Sequence, residues 1–307
     1  MKMFNQLEHE ERQGNTYTKS ETLEHLRPVE RYFIKEVRKL KDIEYEYDVN
    51  ANEVPWFRTL SYTEFAHTFF IQPLSPVIRE RQMFEASQDK TDNPKDYIKY
   101  FLNKIESKTS NKYNELKQTK IEPRSNIIIP VGSNKLKETV CLNKLKFILR
   151  KYSPDEVYLK PHPLTTHQMI GELKDELGDD VVLERGVDMY ELMKGADMVH
   201  TSHRSESILY AVALGKEIDC IDVYNKAHEG TFYCFASLLF GCNNDIKKAQ
   251  KLINAIFNSY KSGFINPEVD ENWKDKVDNY LEYIMSIREE YKNMYVWNIK
   301  GTMEKSK

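Results

Sequence analysis

Between residues 125 and 223 five short apolar runs alternate with stretches of helical spacing, and no other feature of the chain restricts its fold as much. The runs occupy 127–131, 157–159, 181–183, 198–201 and 218–223. Short runs that are apolar on consecutive residues suit strands covered on both faces. Between the first two, Val140, Leu142, Leu145, Ile148 and Leu149 recur at the spacing of one helix face; helical spacing returns over 169–177 and 189–193, and again from Ser207. Strand and helix repeated in this way predict an α/β fold with a Rossmann-like parallel sheet, because a helical connection carries the chain back to the same end of the sheet by a right-handed crossover.

Two polar motifs sit where strands of that sheet end. Lys160-Pro161-His162-Pro163 follows the run 157–159, and Ser202-His203-Arg204-Ser205-Glu206-Ser207 follows 198–201. In open parallel sheets ligands bind outside the carboxyl ends of the strands. The motifs lie about 40 residues apart, the length of one further strand-helix-strand-helix passage, so both open on the same edge. Their chemistry suits a nucleotide's phosphates. Lys160 supplies a point charge, His162 a ring N–H held stiffly between two prolines, and Ser202, Ser205 and Ser207 hydroxyl donors beside the unpaired N–H groups of a helix start. Arg204 and Glu206 stand on the same turn as further polar candidates. Each motif also has a plain structural reading. The first fits a Pro-rich strand exit whose histidine bonds the backbone, Ser205 or Ser207 fits an ordinary helix cap, and Glu206 fits a solvated carboxylate favoured by the helix dipole.

Taken together these residues resemble the nucleotide-binding half of GT-B glycosyltransferases, in particular the Lys-Pro-His-Pro type found among capsule, sialic-acid and glycerol-phosphate polymer transferases. The resemblance covers 126–223. It rests on Lys160-Pro161-His162-Pro163, on 188–193 leading to Ala196-Asp197, on the Ser205 turn, and on Ala211-Val212-Ala213-Leu214-Gly215-Lys216. It implies that the His-Pro and serine turns hold the donor's phosphates, hence such roles for His162, Ser205 and Ser207. The chain departs from the pattern at Glu206, where a second serine is usual, at Tyr210, where an acidic ribose contact often stands, and at Glu217, which replaces a common proline.

The first 124 residues carry no repeated strand-helix pattern. A charged amphipathic helix is expected over 21–40, a strand over 43–49 and an aromatic stretch over 56–78 broken by Pro73 and Pro76. With the resemblance, the expected organisation is an irregular acceptor-side domain 1–124, a nucleotide-sugar domain 125–245, and a helical segment 246–307 packing back on the first. A general base for the acceptor hydroxyl is then sought in the N-terminal half, where His67, Glu64 and Glu53 are the titratable groups of the aromatic stretch. His67, between Phe65 and Phe69, equally suits a packed aromatic cluster.

Several other chemistries fail on spacing. Gly215-Lys216 lacks the rest of a P-loop, and no Gly-x-Gly-x-x-Gly follows a strand. His200 and His203 straddle a strand end without a third ligand at a regular offset, so no metal is expected. Cys141, Cys220, Cys234 and Cys242 show no Cys-x-x-Cys spacing and read as buried, reduced thiols. No run approaches the ~20 apolar residues of a membrane span, and the start lacks a signal peptide's apolar core, which points to the cytoplasm.

The expected function is therefore transfer of a sugar from a nucleotide donor, a pyrimidine one (UDP or CMP) by resemblance, to an acceptor hydroxyl, with no obligatory cofactor or metal. The seven Lys or Arg over 99–124 are compatible with double-stranded DNA as acceptor, as in bacteriophage enzymes that glycosylate hydroxymethylated bases, with Trp56 or Phe57 near an extruded base; the same residues fit a solvated helix face and a small aromatic core. A bacterial surface polysaccharide is the rival acceptor. A binding module for nucleotide sugar or nucleic acid, without turnover, is the rival function.

Overall fold

The computed structural model describes residues 2–5, 20–40, 44–46, 57–63, 68–73, 76–107, 121–130, 142–163, 165–203, 205–221, 233–291, 295–297 and 303–305. The chain divides into two compact units, Met1–Lys112 with Lys251–Lys307, and Tyr113–Gln250. The last residues thus cluster with the first, and the second boundary falls inside a helix.

The first unit holds β1 (Lys2–Asn5), α1 (Ser20–Val37), β2 (Glu44–Glu46), β3 (Phe57–Thr63), β4 (Thr68–Pro73), α2 (Pro76–Gln88) and α3 (Tyr97–Glu106). Its sheet runs β2-β1-β3-β4-β9, where β9 is the two-residue strand Phe264–Ile265. Strand β1 is parallel to β2 and β3, and the β3–β4 hairpin is antiparallel. Leu26, Val29, Phe33 and Val37 of α1 pack with Phe69, Ile71 and Ile265, and with Val277, Tyr280, Leu281 and Ile284 of the C-terminal helix. At full burial each such side chain contributes about 1.5–3 kcal/mol. Gly263 shapes the strand crossing. Its φ is +76°, and a Cβ there would lie 2.1 Å from the Ile71 carbonyl oxygen, so no larger residue fits. The region after Asp245, expected to be helical throughout, instead adds β9 to this sheet, a strand too short to leave any periodicity in the sequence.

The second unit carries β5 (Asn126–Ile129), α4 (Leu142–Lys151), β6 (Val157–Leu159), α5 (His167–Leu177), α6 (Met189–Gly195), β7 (Met198–Thr201), α7 (Ser207–Ala213), β8 (Glu217–Cys220) and α8 (Tyr233–Phe240). Helix α9 (Ile246–Asn258) crosses the boundary, and α10 (Trp273–Tyr291), β10 (Tyr295–Trp297) and β11 (Met303–Lys305) follow in the first unit.

Four of the five expected strands form a wholly parallel sheet in the order β6-β5-β7-β8. The run 181–183 does not become a full strand. It is held to the outer side of β6 by one parallel bridge, Leu159 to Val182, with bonds from Leu159 N–H to the Val181 carbonyl (2.8 Å) and from Leu183 N–H to the Leu159 carbonyl (2.9 Å). Counted with that bridge, the five runs stand in the order third, second, first, fourth, fifth. The chain starts in the middle, steps outward one way, then crosses over and steps the other way. The reversal lies between β5 and β7, where the carboxyl ends of an open α/β sheet leave a crevice.

Register divides the side chains between the two faces. Ile128, His200 and Asp219 lie side by side on one, Ile129, Thr201 and Cys220 on the other. Helix α4 covers the first face, placing Leu145 and Ile148 against Ile128, Val157 and Leu159. Helix α7 ends in a Schellman turn. Gly215 (φ +75°) donates its N–H to the Val212 carbonyl and Lys216 to that of Ala211 at 2.8 Å. Gly215-Lys216 therefore closes a helix and sends the chain into β8.

Among the described residues no helix is long and apolar enough to cross a membrane.

Candidate functional site

Both motifs leave the carboxyl edge of the parallel sheet, one after β6 and one after β7, with β5 between them. At the usual spacing of about 4.8 Å per strand the two exits stand about 10 Å apart. They are built in different ways.

The first turn is held from inside. Lys160 is 3% exposed, and its ammonium donates to the Pro161 carbonyl at 2.8 Å and to the Arg185 carbonyl at 3.1 Å. Expected as a point charge for phosphate, it ties the turn to the loop that follows 181–183. The chain then folds back as Thr165 N–H bonds the His162 carbonyl at 2.9 Å, and Thr166 caps α5 by accepting from Met169 N–H. His162 is left half-buried between Pro161 and Pro163.

The second turn is held by hydroxyls. The Ser202 carbonyl accepts from Ser205 N–H at 3.0 Å, and Ser202 itself is buried. The Ser205 Oγ accepts from Ser207 N–H at 3.2 Å, which makes it a cap on α7, and lies 2.6 Å from the Ser207 Oγ. Ser207 is 2% exposed, and its hydroxyl also meets Thr201 Oγ1, which donates to the Ile129 carbonyl at 3.4 Å. Ser207 thus points inward and touches the edge only through Ser205, while Glu206 is half-buried and its carboxylate makes no cap.

Each hydroxyl has one proton, so the chain Ser205–Ser207–Thr201 has two self-consistent directions. With Thr201 donating to Ile129, Ser207 donates to Thr201 and Ser205 to Ser207, and Ser205 offers only a lone pair outward. In the reverse direction Thr201 donates to Ser207 and Ser207 to Ser205, which frees the Ser205 O–H for an anion. Reversal gives up the 3.4 Å contact to Ile129, the longest bond of the chain.

Beneath the turn, on the opposite face, a polar rung crosses three strands. His200 Nδ1 lies 2.9 Å from Asp219 Oδ2 and its Nε2 lies 3.1 Å from Asn126 Oδ1. Lys144 of α4 donates to Asp219 at 2.9 Å and also to the Cys220 carbonyl. Burial works to raise the Asp219 pKa, but the hydrogen bonds from His200 and Lys144 and the Lys144 charge outweigh it, so the carboxyl stays below its ordinary value. Both ring nitrogens of His200 are engaged in this rung, while His203 Nδ1 lies 2.9 Å from Cys220 Sγ. The two histidines serve separate groups.

Tyr210 is buried with its ring 4.7 Å from that of Tyr190, edge to face, so it packs α7 against α6. Arg124 also turns to the protein, since its guanidinium donates to the Pro154, Val157 and Asp180 carbonyls and lies over the Tyr158 ring. Lys104 pairs with Glu268. Two cations of the basic stretch 99–124 are thereby spent on internal contacts. Arg204, His67, Glu64, Glu53, Trp56 and Cys141 lie outside the described residues.

Thr201, Asn126 and Lys144 carry no signal of their place in the sequence alone, nor does the pairing of His203, which flanks the serine turn, with Cys220. Register supplied the missing signal. Once Thr201 is known to pair with Ile129 and Cys220, its position on the serine side of the edge follows.

No protein-family model matches the chain, and no curated protein does. Among solved structures it is similar to the KpsC beta-Kdo 2,7 transferase of Thermosulfurimonas dismutans, at 17% identity over 72% of each chain and a TM-score of 0.37.

Proposed function

We propose that the second unit is the donor-binding part of a glycosyltransferase that moves a sugar from a pyrimidine nucleotide donor to an acceptor hydroxyl. What supports the reading most is the pair of turns on either side of β5, at the reversal of the strand order, one carrying a half-buried imidazole between two prolines and the other a hydroxyl whose proton the buried chain can release outward. In the reaction the acceptor oxygen attacks the anomeric carbon, the bond from that carbon to the phosphate oxygen breaks, and the nucleotide departs with the negative charge. Donors fixed at the phosphate lower the cost of that charge. His162 and Ser205 are the residues proposed to supply them. Lys160 acts through the backbone it braces, and Ser207 and Thr201 through Ser205. His67 and Glu64 remain the proposed general bases, and no metal is required in this reading.

The acceptor is a sugar or nucleobase hydroxyl. Transfer to hydroxymethylated DNA falls steeply with added salt, whereas transfer to an oligosaccharide does not. A binding module without turnover is the second reading, favoured by the way Lys160 and Ser207 are consumed in holding the turns. The deciding experiment incubates purified protein with UDP- and CMP-sugars, with and without acceptor, and follows nucleotide release. Turnover that survives EDTA and is abolished in His162→Ala supports the transferase. Tight nucleotide binding with no release under any condition supports the module.

A further inference from the structure

We infer that Cys220 and His203 form a nucleophilic thiol site at the carboxyl edge of the parallel sheet, a place where soft electrophiles and peroxides modify the chain. The cysteines read from sequence as inert buried thiols. Among the described three, Cys242 fits that reading, because burial pushes its thiol pKa up. Cys220 does not. It ends β8, in register with Thr201, is half-buried, and its Sγ lies 2.9 Å from Nδ1 of His203, which is half-buried as well. The imidazole packs against the Phe240 ring, with centroids 4.7 Å apart. A thiol within hydrogen-bond reach of an oriented imidazole is the arrangement that general-base assistance needs.

With a haloacetamide, the Cys220 sulfur forms a bond to the methylene carbon as the carbon–halogen bond breaks, halide leaves, and His203 takes the thiol proton. With hydrogen peroxide, an S–O bond forms as the O–O bond breaks. Sulfur is oxidised to the sulfenic acid, peroxide is reduced, and the thiol proton passes through the imidazole to the departing hydroxide, giving water. Either product occupies the edge beside the Thr201–Ser207–Ser205 hydroxyls, since Cys220 and Thr201 share a face.

The test is a brief pulse of iodoacetamide on the folded, full-length chain, with each cysteine quantified by peptide mass spectrometry. Cys220 is expected to label at least about ten-fold faster than Cys242 and several-fold faster than Cys234, and His203→Asn is expected to slow Cys220 about five-fold or more while leaving Cys234 unchanged. Phe240→Ala, which removes the ring packed against the imidazole, slows Cys220 by a smaller factor and carries the test should His203→Asn fail to fold. Labelling of Cys220 no faster than Cys234, or a Cys220 rate unaffected by either substitution in folded protein, overturns the site. The readout is independent of any sugar transfer.

Discussion

The turn after β6 and the turn after β7 open on the same edge of one sheet, yet they are stabilised by opposite means. In the first, a buried ammonium and two prolines fix the backbone and leave one imidazole half-exposed. In the second, side-chain hydroxyls bond one another down to a strand carbonyl, and the outermost of them, Ser205, is the group that faces a choice of partner. The difference separates side chains spent on holding the turns from side chains at the edge. Lys160 and Ser207 look like ligand contacts in sequence, but their polar atoms are directed into the protein.

Substitutions that treat frame and contact differently sharpen this contrast. Lys160→Met has the largest expected effect. Leaving the Pro161 and Arg185 carbonyls without their charged donor should lower stability by about 2–4 kcal/mol in urea unfolding; full stability with only nucleotide binding lost would make Lys160 a ligand contact instead. Asp219→Asn, which cuts the rung beneath the serine turn, should cost about 1–2 kcal/mol at neutral pH, reduced from the buried-pair figure because the carboxyl is partly exposed. The wild-type carboxyl, held below its ordinary value of 3.8, contributes stability that is present above that pH and lost as pH falls through the lower folded value. Chemical melts at a series of pH values should therefore show the wild-type advantage over Asp219→Asn shrinking only on the acid side.

His162→Ala should leave the chain folded while weakening nucleotide affinity about ten-fold, or about 1.4 kcal/mol. Thr201→Val has the smallest effect and the most specific sign. It removes the inward acceptor of the Ser207 hydroxyl, so Ser207 must donate to Ser205 and the Ser205 proton turns outward. Stability should fall by about 1 kcal/mol while nucleotide affinity is kept or slightly raised; a large loss of affinity, read by calorimetry, would show that the proton order along the chain is wrong.

The alternation of apolar runs made the parallel sheet of the second unit legible, since strands buried on both faces carry their signal in consecutive residues. The run 181–183 has the composition of a strand and forms one bridge, because three residues at the outer edge find a partner on one side only. The sheet of the first unit was legible only in β2 (Glu44–Glu46), which falls within the strand expected over 43–49. It places β1 between β2 and β3 and takes β9 from the far end of the chain, pairings that no local periodicity encodes. At the carboxyl edge, the places of the two polar turns after β6 and β7 were legible, but the direction of each side chain was not. Whether Lys160 meets solvent depends on where the Arg185 carbonyl lies, and whether Cys220 is inert depends on its pairing beside Thr201 and on the ring of Phe240. Those are facts of register and packing.

His162 and Ser205 are the proposed phosphate contacts of the donor at the edge of the second sheet. Calorimetric titration of UDP and CMP into the wild-type chain, His162→Ala and Ser205→Ala tests this assignment most directly. The account predicts binding by the wild type to at least one of the two nucleotides, and about ten-fold or greater weakening in each variant with the folded state intact. Wild-type protein that binds neither nucleotide, or folded variants that bind as tightly as the wild type, would contradict it.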